Sequence, residues 1–304
     1  MIDFTSFLAT KKAQYIFITG GWGGTAGLSQ SEIIDIQSGK NCKAPKSFPA
    51  KIDALWGPMS TKEGWPLVCG GHIEGSGFSK WNPTCSVYNP KSKTWEYWSE
   101  SWNFYGTVTV QSPNGSYWII TGNTSYTQDS KSEFVQGPAL PDDFQYGCAL
   151  RIDEETTLVA KSKIYLYNHI TQHWTGMEFP NGTEFSSGLA CGLVQDNSTQ
   201  EPTIAVFVQQ DSTYTALLDL KTLEWTEGDK LPAQRGYSSV VPYGNSFLVI
   251  GGRSSDSWEF VTDTYFHLNE ESMMWEEMDF RMENKRAMFF ASVIEADSFD
   301  CEDA

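Results

Sequence analysis

The 304-residue chain predicts an all-β fold: a β-propeller of about six four-stranded antiparallel blades. Three observations predict it. Trp174, Trp225 and Trp275 recur about 50 residues apart, and they close the same phrase: YNHITQHW, LDLKTLEW and LNEESMMW, with a further copy, YNPKSKTW, ending at Trp95. In each phrase an Asx residue (Asn89, Asn168, Asp219, Asn269) stands six residues before the Trp. Upstream of these phrases, short apolar β-branched runs close on paired glycines, as in YIFITGG (15–21), PLVCGG (66–71) and SFLVIGG (246–252).

Each strand of a blade has its own signal. An inner strand is expected before each Gly-closed run, joined by a tight turn such as the Asn114-Gly115 pair in GTVTVQSPNGSYWIITG. The Gly-closed run is the second strand, and degraded copies fill the gaps: WIITGN (118–123) keeps one Gly, TTLVAK (156–161) keeps none, and IAVFVQQ (204–210) keeps only the strand. The Asx residue opens a tight turn after the third strand and the Trp begins the fourth, which describes a hairpin. Paired glycines allow positive φ and close approach, so Gly-Gly and the downstream Trp are expected to pack as a couple.

This order of inner strand, Gly-Gly strand, Asx turn and Trp strand resembles the kelch repeat over nearly the whole chain. The chain starts with a second-strand motif and ends with an unpartnered first strand, 287–294. The resemblance implies that these two pair to close the ring. The expected organisation is a lead-in at 1–14, a propeller at 15–295 and an acidic tail at 296–304. The first blade departs from the pattern with Cys42 at the expected Trp position, and the third has a shortened outer half around Phe134.

Hydrophobic content of 40% with 19% charged residues fits a globular chain. A formal charge of −17 repels phosphate backbones and anionic lipid, so nucleic acid and membrane insertion are excluded as expectations. The expected role is a non-catalytic module, monomeric and without cofactor, that binds a protein or glycan. Its binding surface would be the face carrying the b–c and d–a loops, with strands lettered a to d from the channel outward. The b–c loops offer Trp22, Phe78, Trp81, Tyr214, Arg253 and Trp258; the d–a loops offer Trp102, Tyr105, Tyr146, Phe185, Arg235 and Tyr237. Aromatic and Arg side chains bury much area for little entropy and dominate hot spots. The third blade's b–c loop is placed at 123–130.

A second class is metal-dependent activity. Glu259, Asp263 and His267 spell E-x-x-x-D-x-x-x-H, similar to the iron-binding motif of kelch-bladed plant specifier proteins, and two carboxylates with one imidazole suit ferrous iron. A third is a structural or adhesive domain of a larger secreted protein. Cys69 and Cys85 face one another across a hairpin and are expected to bond. Cys148 and Cys191 occupy equivalent inner-strand places, where small buried residues serve as well as a bridge, and Cys42 with Cys301 could staple the tail. Sequons at Asn114, Asn123, Asn181 and Asn197 favour an oxidising, extracellular history. The start of the chain shows no basic-then-apolar leader, which pulls towards the cytosol. The balance of the two is a piece of a secreted protein.

Overall fold

A computed structural model of the chain describes residues 13–43, 46–54, 57, 59–61, 63–73, 80–100, 106–111, 116–128, 134–180, 188–209, 211–255, 257–296, 299 and 301. The strands form six antiparallel blades in a ring. The first blade holds β1 (Ala13–Thr19) and β2 (Ser31–Asp35). Beside the second, β3 (Ile52–Ala54) pairs with β6 (His72–Ile73). The second blade itself is β4 (Met59–Ser60), β5 (Pro66–Cys69), β7 (Thr84–Asn89) and β8 (Thr94–Glu100). The third runs β9 (Val108–Gln111), β10 (Tyr117–Thr121), β11 (Thr124–Gln128) and β12 (Phe134–Gln136). The fourth comprises β13 (Cys148–Arg151), β14 (Thr156–Ala160), β15 (Ile164–Asn168) and β16 (His173–Met177). In the fifth are β17 (Ala190–Gln195), β18 (Pro202–Val208), β19 (Thr215–Asp219) and β20 (Trp225–Glu227). The sixth has β21 (Ser239–Tyr243), β22 (Ser246–Ile250), β23 (Tyr265–Leu268) and β24 (Trp275–Glu277). Finally β25 (Phe290–Ala296) pairs with β1 from Ala13↔Ala296 to Thr19↔Phe290, closing the ring. The closing strand thus begins three residues later than 287, because Ala287 instead bridges Trp22.

The core is divided among six clusters, one between each pair of adjacent blades. In β1, Tyr15 and Phe17 face the second blade while Ile16 and Ile18 face the sixth. A second strand is therefore buried on both sides, which is why it reads as a continuous apolar run rather than an alternating one. The outer-strand Trp residues plug these interfaces. Trp95 packs on Phe17 and donates its indole N–H to the Lys46 carbonyl; Trp174 packs on Trp118 and donates to the Ala139 carbonyl.

Three sequence expectations are corrected. Paired glycines do not couple to the Trp of their blade. A Cβ on Gly21 would meet Phe289 Cβ at 2.6 Å and one on Gly252 the Gly236 carbonyl at 2.9 Å, so the glycines make room for the chain entering an inner strand. The Trp position of the first blade is Asn41, not Cys42: Ile34↔Asn41 has the register of Tyr88↔Trp95, and Cys42 faces the other way into a disulfide with Cys301. The third blade's b–c connection is the Gly122-Asn123 turn, and residues assigned to a loop form β11, paired with β10 from Thr121↔Thr124 onward. Disulfides also join Cys69 to Cys85 across β5 and β7, and Cys148 to Cys191 between the inner strands of neighbouring blades.

Candidate binding face at the channel mouth

Each blade enters its inner strand through one left-handed residue: Gly57, Gly106, Tyr146, Gly188, Tyr237 and Met288 all have positive φ. Backbone bonds link them around the mouth. Tyr146 N–H donates to Gly106 O (2.9 Å), Gly188 N–H to Tyr146 O (2.7 Å) and Met288 N–H to Tyr237 O (3.0 Å). Glycine takes this conformation freely, whereas an L side chain costs about 1–2 kcal/mol. Tyr146 and Tyr237 hold φ of 61° and 55° there. Large rings are thus held at a strained position where half the blades use Gly.

The rings converge on one guanidinium. Arg253, just after the Gly251-Gly252 pair, lies over the Trp258 ring at 4.5 Å from its centroid and 5.6 Å from that of Tyr237. Asp211, from the neighbouring blade's b–c loop, holds the guanidinium through an ion pair and a second bond from Nε at 3.2 Å. Tyr237 and Trp258 are 5.0 Å apart, and Tyr146 meets Tyr237 edge-on at 6.1 Å. Trp22 donates its indole N–H to the Trp258 carbonyl at 2.8 Å, bringing in the first blade. The cluster spans three b–c loops and two d–a links. Trp258 and Phe260 leave it towards solvent, 36% and 58% exposed.

No protein-family model matches the chain. The Kelch-like protein terF of Aspergillus terreus is 30% identical over 135 residues, which is 40% of this chain and 28% of that protein. The solved structure of YjhT overlays 88% of this chain and 97% of its own with a TM-score of 0.67 at 14% identity, a likeness of fold alone. Six blades, the repeat phrases and the 30% identity over 135 residues support a kelch-type propeller.

The other sequence-picked residues lie apart from the cluster or outside the described residues. Phe78, Trp102, Tyr105 and Phe185 are outside, as are Asn114 and Asn181. Trp81 packs edge-on against His72 at 5.3 Å, and Tyr214 packs on the core between blades four and five. Arg235 is buried: its guanidinium lies 4.4 Å from the Phe266 centroid and donates to Thr264 Oγ1 and the Gln234 carbonyl. Burial pushes its pKa down to about 10. Asn123 is exposed in its turn and Asn197 in the β17–β18 turn.

The E-x-x-x-D-x-x-x-H residues are not brought together. Glu259 is exposed on the mouth loop, whereas His267 sits in β23 with its ring 4.9 Å from Tyr243. His267 Nε2 is 3.8 Å from Glu270, an ion-pair distance too long for a hydrogen bond. Among the described residues no group of three His, Cys, Asp or Glu side chains is placed to hold a metal.

Sequence reasoning missed Asp211, whose sign is visible only once it meets Arg253. It also missed the buried pair of Arg286 and Glu32, which fastens the last d–a link to β2. Alignment of RGY (235–237) with RAM (286–288) puts both Arg residues two places before a left-handed residue, a signal that could have found Arg286.

Proposed function

We propose that this kelch propeller binds a protein partner through the b–c and d–a loop face, with Trp258 and Phe260 as the contacts and Arg253, Asp211 and Tyr237 as their support. The observation that carries this reading is the exposed Trp258, with Arg253 over its ring and its backbone carbonyl bonded by Trp22. A rigid, half-exposed aromatic held by an ion-paired Arg is the composition of a hot spot. Arg253 and Tyr237 against the Trp258 ring also leave less open ring face for stacking on a sugar, which favours a protein over a glycan. The proposed role is that of a binding module, because the mouth cluster presents aromatic rings and a cation committed to Asp211.

A photo-crosslinking residue placed at Phe260 tests this against the same residue at Ile170, exposed in a c–d turn on the opposite face. Capture of one discrete protein from 260, none from 170, and loss of capture in Trp258→Ala are the expected results. For the captured protein, Trp258→Ala should weaken binding by about 2 kcal/mol, near 30-fold. Equal capture from both faces, or capture indifferent to Trp258→Ala, would remove the proposed face.

A further inference from the structure

The channel behind the mouth is a separate feature. A cavity of about 350 Å³ runs along it, walled mainly by the inner strands of blades three to six. That is within the size range of small-molecule sites. Although the chain carries −17 overall, none of the described residues lining the cavity is Asp, Glu, Lys, Arg or His. Val108, Leu150, Leu193 and Val240 supply apolar wall, and Thr109 and Gln195 supply uncharged polar groups. Ser246 also lines it, and its buried hydroxyl has no hydrogen-bond partner. An unpaired buried hydroxyl costs about 1–3 kcal/mol, which a ligand atom could relieve. The Cys148–Cys191 bridge lies in this wall and ties β13 to β17, so the cavity is held open before anything enters.

We infer that the channel binds a neutral, mainly apolar small molecule carrying one hydrogen-bonding group, which enters beside Tyr146 and Tyr237. An ion would lose its hydration without meeting a counter-charge. A ligand without any polar atom would leave Ser246 unpaired. This site uses neither Trp258 nor Phe260 and stands independently of the protein-binding face.

The test uses two dyes of one skeleton, neutral N-phenyl-1-naphthylamine and its anionic relative 1-anilinonaphthalene-8-sulfonate. The neutral dye should show saturable fluorescence enhancement with one site per chain, and the sulfonate should bind at least ~10-fold more weakly. Leu193→Trp and Thr109→Trp, which fill the cavity from different blades, should each weaken the neutral dye at least ~10-fold, with wild-type melting curves. Trp258→Ala should leave it unchanged. Absence of saturable binding, equal binding of the sulfonate, or wild-type binding by both folded channel variants would overturn the inference. If the channel variants do not fold, a crystal structure with the naphthylamine bound decides: dye in the channel supports the site, and dye elsewhere overturns it.

Discussion

At the turn end of the propeller, Asp35, Asn89, Asn168, Asp219 and Asn269 each accept the backbone N–H groups two and three residues ahead, so five c–d hairpins share one geometry. At the mouth, the loops between the same strands differ in length and in partner. A two-residue turn serves the third blade, while the sixth has a long loop carrying Trp258. The hairpins are closed by local bonds in exposed chain. The mouth is fastened by long-range pairs that bury charge: Arg286 to Glu32 and Arg253 to Asp211. Local bonds can be lost one at a time with little consequence elsewhere, whereas loss of one member of a buried pair strands its partner.

The largest effect expected from this contrast is at Arg286. Its guanidinium bonds the Gly20 and Gln30 carbonyls as well as Glu32, and Glu32 also accepts from the backbone N–H groups of Glu283 and Asn284. Arg286→Met should cost about 3–5 kcal/mol in denaturant unfolding, because the buried Glu32 is left without its partner. The double variant Arg286→Met, Glu32→Leu should recover much of that loss. A single variant as stable as the wild type would show that the pair is dispensable and that the mouth is no more fragile than the turn end.

Arg253→Met sharpens the comparison within the mouth. Its partner Asp211 has a side chain 23% exposed, so water covers part of what is lost. A cost of about 1–2 kcal/mol is expected, less than at Arg286. Loss of contact with Trp258 should lower partner capture more than stability. Equal cost at the two positions would mean that burial is not what separates them.

The unequal legibility of the two ends has the same physical origin. An Asx turn is written in adjacent residues, and four of its copies were readable from the Trp phrase. The fifth, at Asp35, was obscured because Asn41 replaces the Trp and Cys42 beside it drew the register off by one. The second strands were readable because burial on both faces leaves a run of β-branched residues. The mouth was readable only as a set of aromatic loops. Arg235 and Arg253 look alike in sequence, yet one is enclosed over Phe266 and the other supports an exposed Trp. That distinction depends on Asp211 and Trp258, which the fold brings in from separate loops. The triad of Glu259, Asp263 and His267 has regular spacing along one chain segment, but the segment passes from mouth to turn end and carries its ends apart.

Removal of a single Asx cap should have a smaller effect. Asp219→Ala gives up two backbone bonds in exposed chain, at 2.9 and 2.8 Å, and a small loss of stability, below that at Arg253, should go with them. Asn269→Ala should cost a similar amount, and the two should add because they serve different blades. Strong non-additivity in unfolding measurements would mean that the turns are coupled through the ring and are not local devices.

The smallest expected effect is a pH response confined to the turn end, where blade four carries a part-buried imidazole, His169, and blade six a buried one, His267. Burial lowers the pKa of His267 below 6.5, with Glu270 and Glu276 pulling it back; His169 is lowered by burial and by Arg151, with Asp153 opposing. A lowered folded pKa means that the folded state binds fewer protons than the unfolded chain. Stability is therefore full above pH 6.5 and declines as pH falls through the folded values. Glu283 acts oppositely, since burial and Glu32 raise it from 4.5 and its protonation favours the folded state. Melting temperatures between about pH 7.5 and 5.5 isolate the imidazoles from the ordinary carboxylates. The wild type should lose stability across that range, His267→Gln should flatten part of the decline, and adding His169→Gln should flatten more. An unchanged slope in the double variant would assign the response to the mouth and reverse the division between the two ends.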